Sequence, residues 1–527
     1  MARLLCSIRG SVHQLIWPLA AALVVFVAGC QRSVSDPAAA NNARENAAER
    51  DSYGGSHRRS IDPVALNGPI FEGWERPKLA IVITGEQDGY LEPCGCAGLD
   101  NQKGGLGRRH ALLDELRTKR GWPVVAIDLG GQIRRYGPQA DMKFRYAADA
   151  LRAMGYGAVA LGLADLRLGA DTILLAATAP DGTPTNFVSA NVKLAGFDEA
   201  SLPLVQRVEV GETIVGITSI LGVSFHPQLD NPDVTTSSPE DALAAVLPQL
   251  TDSDFRVLLA HASREESRAL AERFTEFDIV VTAGGADEPP REAARIDGTN
   301  RLLVEIGHKG MYAAVVGLYD EPPPRYQRVP LDARFHETAA MKKIMTDYQA
   351  ELRAAGFDAL VPQPTPHPRA QGAGDPAGQF VGAERCGKCH TKAHATWKKV
   401  AHSHATDTLT KLSPPRQFDP ECISCHATGW NPQEYFRYET GFESLERTPL
   451  LAGNGCENCH GPGGAHATAE EARPARDLVR RDQLRAAMRL TKSLAEDQHC
   501  VRCHDHDNSP EFNFTRYWPN VEHRGMD

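Results

Sequence analysis

The 527-residue chain has no basic excess: 57 Lys and Arg face 67 Asp and Glu, leaving a net charge of -10. No basic run offsets that balance, which argues against a nucleic-acid partner. A locally basic stretch at Arg473 to Arg489 reads as a solvated helix face or as a dock for an acidic redox partner. Long apolar runs are also scarce. The one near the start, Leu15 to Val27, is too brief for a comfortable membrane span. Arg3 and Arg9 precede it, which is the layout of an export signal. Methionine is nearly absent from the last third, with only Met488 and Met526 after residue 380.

What is present is a motif repeated four times. Cys386-Gly387-Lys388-Cys389-His390, Cys422-Ile423-Ser424-Cys425-His426, Cys456-Glu457-Asn458-Cys459-His460 and Cys500-Val501-Arg502-Cys503-His504 all read Cys-x-x-Cys-His. This is the attachment signature of a c-type haem. The two thiols bond the vinyl groups of the porphyrin, and His390, His426, His460 or His504 lies beneath the iron as proximal ligand. Zinc ribbons would use the same cysteine pairs, but they give no reason for a histidine after every second cysteine. Four covalent haems are therefore expected. So little chain cannot build a large side-chain core, so folding and cofactor attachment are expected to be coupled. Seven histidines lie outside the motifs: His394, His402, His404, His466, His499, His506 and His523. Against two methionines, this favours bis-histidine ligation and low potentials. Two or three of the seven are expected to be surface or supporting residues.

The motifs take eight of the 12 cysteines, and Cys6 leaves with the signal. Val27-Ala28-Gly29-Cys30 resembles the lipobox of bacterial lipoproteins. The resemblance implies diacylglycerol on the Cys30 thiol and a chain anchored to a bacterial membrane on its periplasmic side. An uncleaved signal anchor is the alternative. Cys94 and Cys96 remain, so no conventional disulfide framework exists despite the oxidising compartment.

Length predicts two or three domains. The expected divisions are a signal at 1–29, a flexible tether at 30–70, an α/β domain at 71–335, a helix and Pro-rich spacer at 336–380, and a mainly helical, loop-rich haem domain at 381–527. In the α/β part, Leu79–Ile83, Val124–Ile127, Val159–Leu161, Thr213–Ser219, Phe255–Ala260, Asp278–Val281 and Leu302–Ile306 read as buried strands. Leu106–Arg120, Met142–Met154, Pro239–Leu250 and Arg264–Phe274 carry helical spacing between them. A helix from His336 to Ala355 is followed by alternating prolines at 362–368, which favour extended geometry.

Trp397 with His402-Ser403-His404-Ala405, Cys459-His460-Gly461-Pro462-Gly463-Gly464-Ala465-His466, and the ending Cys503-His504-Asp505 through Tyr517-Trp518-Pro519 to His523 resemble the tetrahaem cytochrome c-554 family. Members are periplasmic electron carriers. The resemblance implies redox protein partners, and distal iron ligation by His466, His523 and His402 or His404, with His402 slightly preferred. It also implies one five-coordinate haem, without saying which.

Ile83-Thr84-Gly85-Glu86-Gln87-Asp88, Gly104-Gly105-Leu106-Gly107-Arg108-Arg109, Asp128-Leu129-Gly130-Gly131, Met154 through Gly162, and Ser189-Ala190-Asn191-Val192 resemble the metallophosphoesterase domain of bacterial 5′-nucleotidases. That implies a four-layer αββα sandwich with two metal ions. The family's ligands are not kept: Glu86 and Asp88 stand for Asp and His, Gly131 for the bridging Asp, and Leu163 and Ala164 for Asn and His. Ala286 and Glu288 replace later histidines, while His261 survives. Two-metal hydrolysis needs paired ions, so this set predicts lost phosphoesterase activity. Cys94-Gly95-Cys96 is expected near the cleft, as a redox-active pair, as thiolate ligands to a metal with Glu86, Asp88 or His261 nearby, or as an inert loop. The leading reading is an electron-transfer protein rather than an enzyme, its sandwich a binding or docking platform. An oxidoreductase acting on a small nitrogen or sulfur species, and a metal-dependent phosphohydrolase, are the alternatives.

Overall fold

Buried β-branched and apolar runs build the first part of the chain. Leu79–Thr84 (β1) reads Leu-Ala-Ile-Val-Ile-Thr and is buried at all six positions, as a strand covered on both faces should be. Val124–Asp128 (β2) and Tyr156–Val159 (β3) lie parallel beside it in order. The computed structural model describes residues 62–93, 102–178, 186–196, 202–472, 477–506, 508–509 and 512–525. Cys6, Cys30, Cys94 and Cys96 lie outside the described residues. So does most of the expected tether, whose last stretch is not free. Pro63–Asn67 forms one helical turn capped by Asp62, and Asn67 bonds Asp332 at 2.8 Å.

Two sheets pack face to face. The second contains Gln206–Val210 (β4), Thr213–Leu221 (β5), Phe255–His261 (β6), Ile279–Thr282 (β7), Ala294–Arg295 (β8) and Leu302–Glu305 (β9). Tyr312–Leu318 (β10) and Arg325–Pro330 (β11) return to the first. The orders are β11-β10-β1-β2-β3 and β8-β9-β7-β6-β5-β4. Ile81, Ile83 and Ile127 of one sheet meet Ile217, Leu259 and Val281 of the other in a single apolar layer. Leu106–Asp114 (α1) and Pro138–Ala153 (α2) cover the outer face of the first sheet, while Pro239–Val246 (α3) and Arg264–Arg273 (α4) cover the second. Ser238 and Ser263 cap α3 and α4 by accepting from backbone N–H groups three residues on. This is the αββα sandwich.

Three expectations change. The strand expected at Val159–Leu161 runs from Tyr156 to Val159, because the chain must leave the sheet for Gly162 to press against the Gly131 backbone, where a Cβ would lie 2.5 Å from the Gly131 nitrogen. Strands β4, β8, β10 and β11, not assigned from the pattern, complete the sheets. In the segment at 336–380, expected as a helix and a Pro-rich spacer, the helix begins at Ala339 rather than His336. That helix, Ala339–Ala355 (α5), buries Met341, Met345, Tyr348 and Leu352 in the sandwich core. Farther on, His367 packs at 4.8 Å from the Tyr438 ring and 5.7 Å from Phe380.

Beyond residue 380 come short helices: Ala383–Gly387 (α6), Thr391–Trp397 (α7), Pro420–His426 (α8), Cys456–His460 (α9), Gly464–Glu471 (α10), Leu478–Ala487 (α11) and Phe514–Val521 (α12). Their apolar core is one cluster of eight buried residues around Ile423 and Phe442. Helix α8 abuts α2. Lys143 pairs with Glu421 at 2.7 Å and Arg135 pairs with it at 3.1 Å. Gln139 donates to Asp419 at 2.7 Å, and Asp419 also caps α8 at the Glu421 N–H. Among the described residues no helix is long and apolar enough to cross a membrane.

Candidate haem and metal centres

Each Cys-x-x-Cys-His motif lies on a helical turn, which sets its cysteines and histidine around one edge. The thiols of Cys386 and Cys456 are neighbours, as are those of Cys425 and Cys503. Three motif histidines face a second imidazole. The ring centroids of His390 and His466 are 6.3 Å apart, those of His504 and His402 6.0 Å, and those of His460 and His523 5.8 Å. An iron bound at about 2 Å by a nitrogen on each side needs about 6 Å between centroids, so all three pairs fit a bis-histidine haem. Every pair crosses the sequence: the partner of the first motif follows the third, and the partner of the fourth precedes the second.

Backbone acceptors orient two of these rings and the remaining motif histidine. His460 Nδ1 donates to the Met488 carbonyl at 2.8 Å, His426 Nδ1 to Ala405 at 2.8 Å and His523 Nδ1 to Val521 at 2.8 Å. A proton held on Nδ1 leaves Nε2 for a metal. Burial pushes His402 down to about 4, helped by His504 and His426 beside it. Burial also lowers His504, His460, His426 and His466. All are thereby kept as the neutral imidazoles that ligate.

His426 is held by the short helix Ala405–Thr410 that precedes its own. Its Nδ1 faces both the Ala405 carbonyl and Thr408 Oγ1, the latter at 3.2 Å. His404, the alternative to His402, turns outward toward Asp407 at 3.5 Å with its side chain 64% exposed. His394 stacks on Trp397 at 5.6 Å. Sequence reasoning missed Arg135, whose guanidinium lies 3.8 Å from the Tyr435 ring centroid and pairs with Glu421, the residue before Cys422. No local pattern announces that contact across nearly 300 residues.

A second cluster lies where β1, β2, β3, β6 and β9 end, the usual place for a site in such sheets. Glu86 and Asp88 sit there with positive φ of 45° and 54°. Glu86 is held well above the carboxylate range by burial and by Asp88, Asp165 and Asp128 around it. Asp128 pairs with the buried Arg109 at 3.1 Å. Asp165 accepts the N–H groups of Gly131 and Gln132 at 2.7 and 2.9 Å. A Cβ on Gly131 would lie 2.6 Å from Glu86 Oε1, so Glu86 fills the space a side chain there would need. Burial lowers His261 to about 4, and its Nε2 accepts the Leu163 N–H at 3.1 Å. Glu86, Asp88 and His308 bring one ligand atom each within 4.8 Å of the others. His308 was not singled out from sequence. The signal available was a histidine between glycines, Gly307-His308-Lys309-Gly310, just after a buried strand.

Residues 385–461 match the family model described as cytochrome c554 and c-prime. Cytochrome c-554 of Nitrosomonas europaea is 27% identical over 172 residues, covering 27% of this chain and 67% of that protein. Among solved structures, the Thermus thermophilus sulfate thiohydrolase SoxB in complex with glycerol aligns with a TM-score of 0.45 and 15% identity, over 56% of this chain and 63% of that one. A 5′-nucleotidase precursor, also from Thermus thermophilus, gives 0.44 and 18%, over 52% and 59%. The calcineurin-like phosphoesterase YfkN of Bacillus subtilis gives 0.43 and 14%, over 53% and 98%. This chain thus spans less than two thirds of the first two.

Proposed function

We propose that this chain is an exported, lipid-anchored c-type cytochrome with four covalent haems, which exchanges single electrons with redox protein partners. The observation that carries the reading is the three crossed imidazole pairs, each at bis-histidine spacing and each including a motif histidine. Cys386 and Cys389, Cys422 and Cys425, Cys456 and Cys459, and Cys500 and Cys503 would hold the porphyrins. His390 with His466, His460 with His523, and His504 with His402 would close three irons on both faces. When bound, haems of this kind take up and release one electron at a time. The protein's part is to fix the tautomers of His460 and His523 through Nδ1. The sandwich is a non-hydrolytic platform. Gly131, Leu163 and Ala164 supply no ligand for a second ion, and Lys143, Arg135 and Gln139 brace the helix that carries the second motif.

The likeness to cytochrome c-554, with the one five-coordinate haem it implies, supports a second reading, in which a small nitrogen or sulfur species is turned over at an open iron. Holoprotein from a host competent in cytochrome maturation tests both. The first reading expects a mass gain of four haems, with electron paramagnetic resonance showing at least three low-spin irons. The second expects the remaining iron to be high-spin and to bind nitric oxide. A polypeptide without bound haem would overturn the first reading. Four low-spin irons that leave nitric oxide unbound would overturn the second. Diacylglycerol on the peptide beginning at Cys30 is the corresponding expectation for the anchor.

A further inference from the structure

The cleft of the sandwich has lost the ligands of a two-ion centre, yet its remaining groups do not look abandoned. His308 Nδ1 lies 3.8 Å from Glu86 Oε2 and 3.7 Å from Asp88 Oδ2. Those separations are too long for hydrogen bonds. They lie within a few tenths of an ångström of the roughly 3.4 Å between neighbouring ligands of a tetrahedral ion with bonds of about 2.1 Å. A second, independent feature points the same way. His261, with its side chain 7% exposed, presents Nδ1 to Glu86 Oε1 at 3.3 Å, and among the described residues neither atom completes a hydrogen bond. Buried polar atoms are rarely left so. We propose that Glu86, Asp88 and His308 hold a single divalent transition-metal ion, with His261 steadying Glu86 from behind.

The ligand set is assembled from two loops that the backbone ties together. The Gly310 N–H donates to the Glu86 carbonyl at 3.0 Å, and the Lys309 N–H donates to Asp88 Oδ2 at 3.1 Å. His308 is therefore held in register with both carboxylates, the kind of support that orients metal ligands. Two carboxylates and one imidazole suit ions of the Mn2+, Fe2+ and Zn2+ class rather than soft ones. One ion is specified, not two, because the Glu86 carboxylate occupies the space beside Gly131 where a bridging side chain would have to start.

The test is a titration of chelator-treated, haem-loaded full-length protein with Mn2+ alone, following free Mn2+ by its electron paramagnetic resonance signal. One equivalent is expected to bind. The affinity should fall at least tenfold in Asp88→Asn and in His308→Gln, and stay unchanged in His336→Ala, which alters an exposed histidine elsewhere. Retained Soret absorbance and far-ultraviolet circular dichroism verify that each variant is folded. Two near-isosteric variants guard against the loss of either one. No saturable binding to the wild-type protein, two equivalents bound, or undiminished affinity in the folded variants would each overturn the proposal. None of these outcomes bears on the haem reading, which rests on other residues.

Discussion

His402 and His404 are two residues apart and chemically identical, yet the fold treats them differently. His402 is half-buried against His504, whereas His404 reaches solvent beside Asp407. Exchanging an imidazole for a thioether raises a haem's potential. On the reading proposed above, His402→Met is therefore expected to lift one haem potential by on the order of 100 mV, while His404→Ala leaves the potentials in place. A spectroelectrochemical titration of both variants decides it, and an upward shift from the 404 change would reverse the assignment. Gly131 offers a contrasting case. Its φ of 74° and the nearby Glu86 Oε1 leave no room for a side chain. Gly131→Asp, which restores the residue of the resembled family, is expected to destabilise the fold by about 2 kcal/mol through backbone strain and crowding. It should gain no phosphatase activity, since Leu163 and Ala164 still lack ligands. A lower thermal midpoint with no phosphate released from nucleotides is the result to look for.

At the scale of elements, α2 and α8 meet through charges rather than through an apolar seam. Burial alone would lower the Lys143 amine, but Glu421 and Asp419 outweigh it and hold it above its ordinary range. For Glu421, burial pushes up while Lys143 and Arg135 prevail and hold it below the carboxylate range. Burial raises Asp419 against the pull of Lys143, and Tyr348 faces the same group. A carboxylate whose folded pKa is depressed contributes stability above its unfolded value, and loses it as pH falls through the folded one. The stability difference between the wild type and Glu421→Gln should thus be full near neutrality and shrink below about pH 4.5. Lys143→Met leaves Glu421 with only Arg135 and is expected to cost about 3 kcal/mol at neutral pH. Urea unfolding at several pH values measures both, and a pH-independent Glu421→Gln effect would contradict the account. None of these contacts was legible in sequence. Periodicity carries the helices and most strands because a buried face repeats locally, and the Cys-x-x-Cys-His motifs are local by their chemistry. The Lys143–Glu421 pair joins residues 278 positions apart. His308, likewise, meets Glu86 only once β9 is set beside the rest of its sheet. Such juxtapositions depend on strand order, which local pattern does not encode.

Across the whole molecule, apolar burial is divided unevenly. The sandwich has three extensive clusters, two of helix on sheet and one of sheet on sheet. The haem-motif region has one cluster of eight buried residues and helices of mostly one or two turns. Segments so short are marginal without packing partners. Three imidazole pairs also bring together stretches far apart in sequence, so on the reading proposed above the closing constraint there would be ligation rather than side-chain packing. A chain produced without cytochrome maturation should therefore fold only in part. Amides of β1, β2 and α2 are expected to keep their hydrogen-exchange protection, while those of α6, α7 and α9 to α12 exchange at near-unfolded rates. Helix α8 is the informative boundary, since Asp419 and Glu421 anchor it to α2 even without porphyrin. It should exchange more slowly than α9 or α12 in the haem-free chain, and lose that margin in Lys143→Met. Full protection of α9 and α12 in the absence of haem would mean that the polypeptide alone encodes this region, and that attachment follows folding instead of driving it.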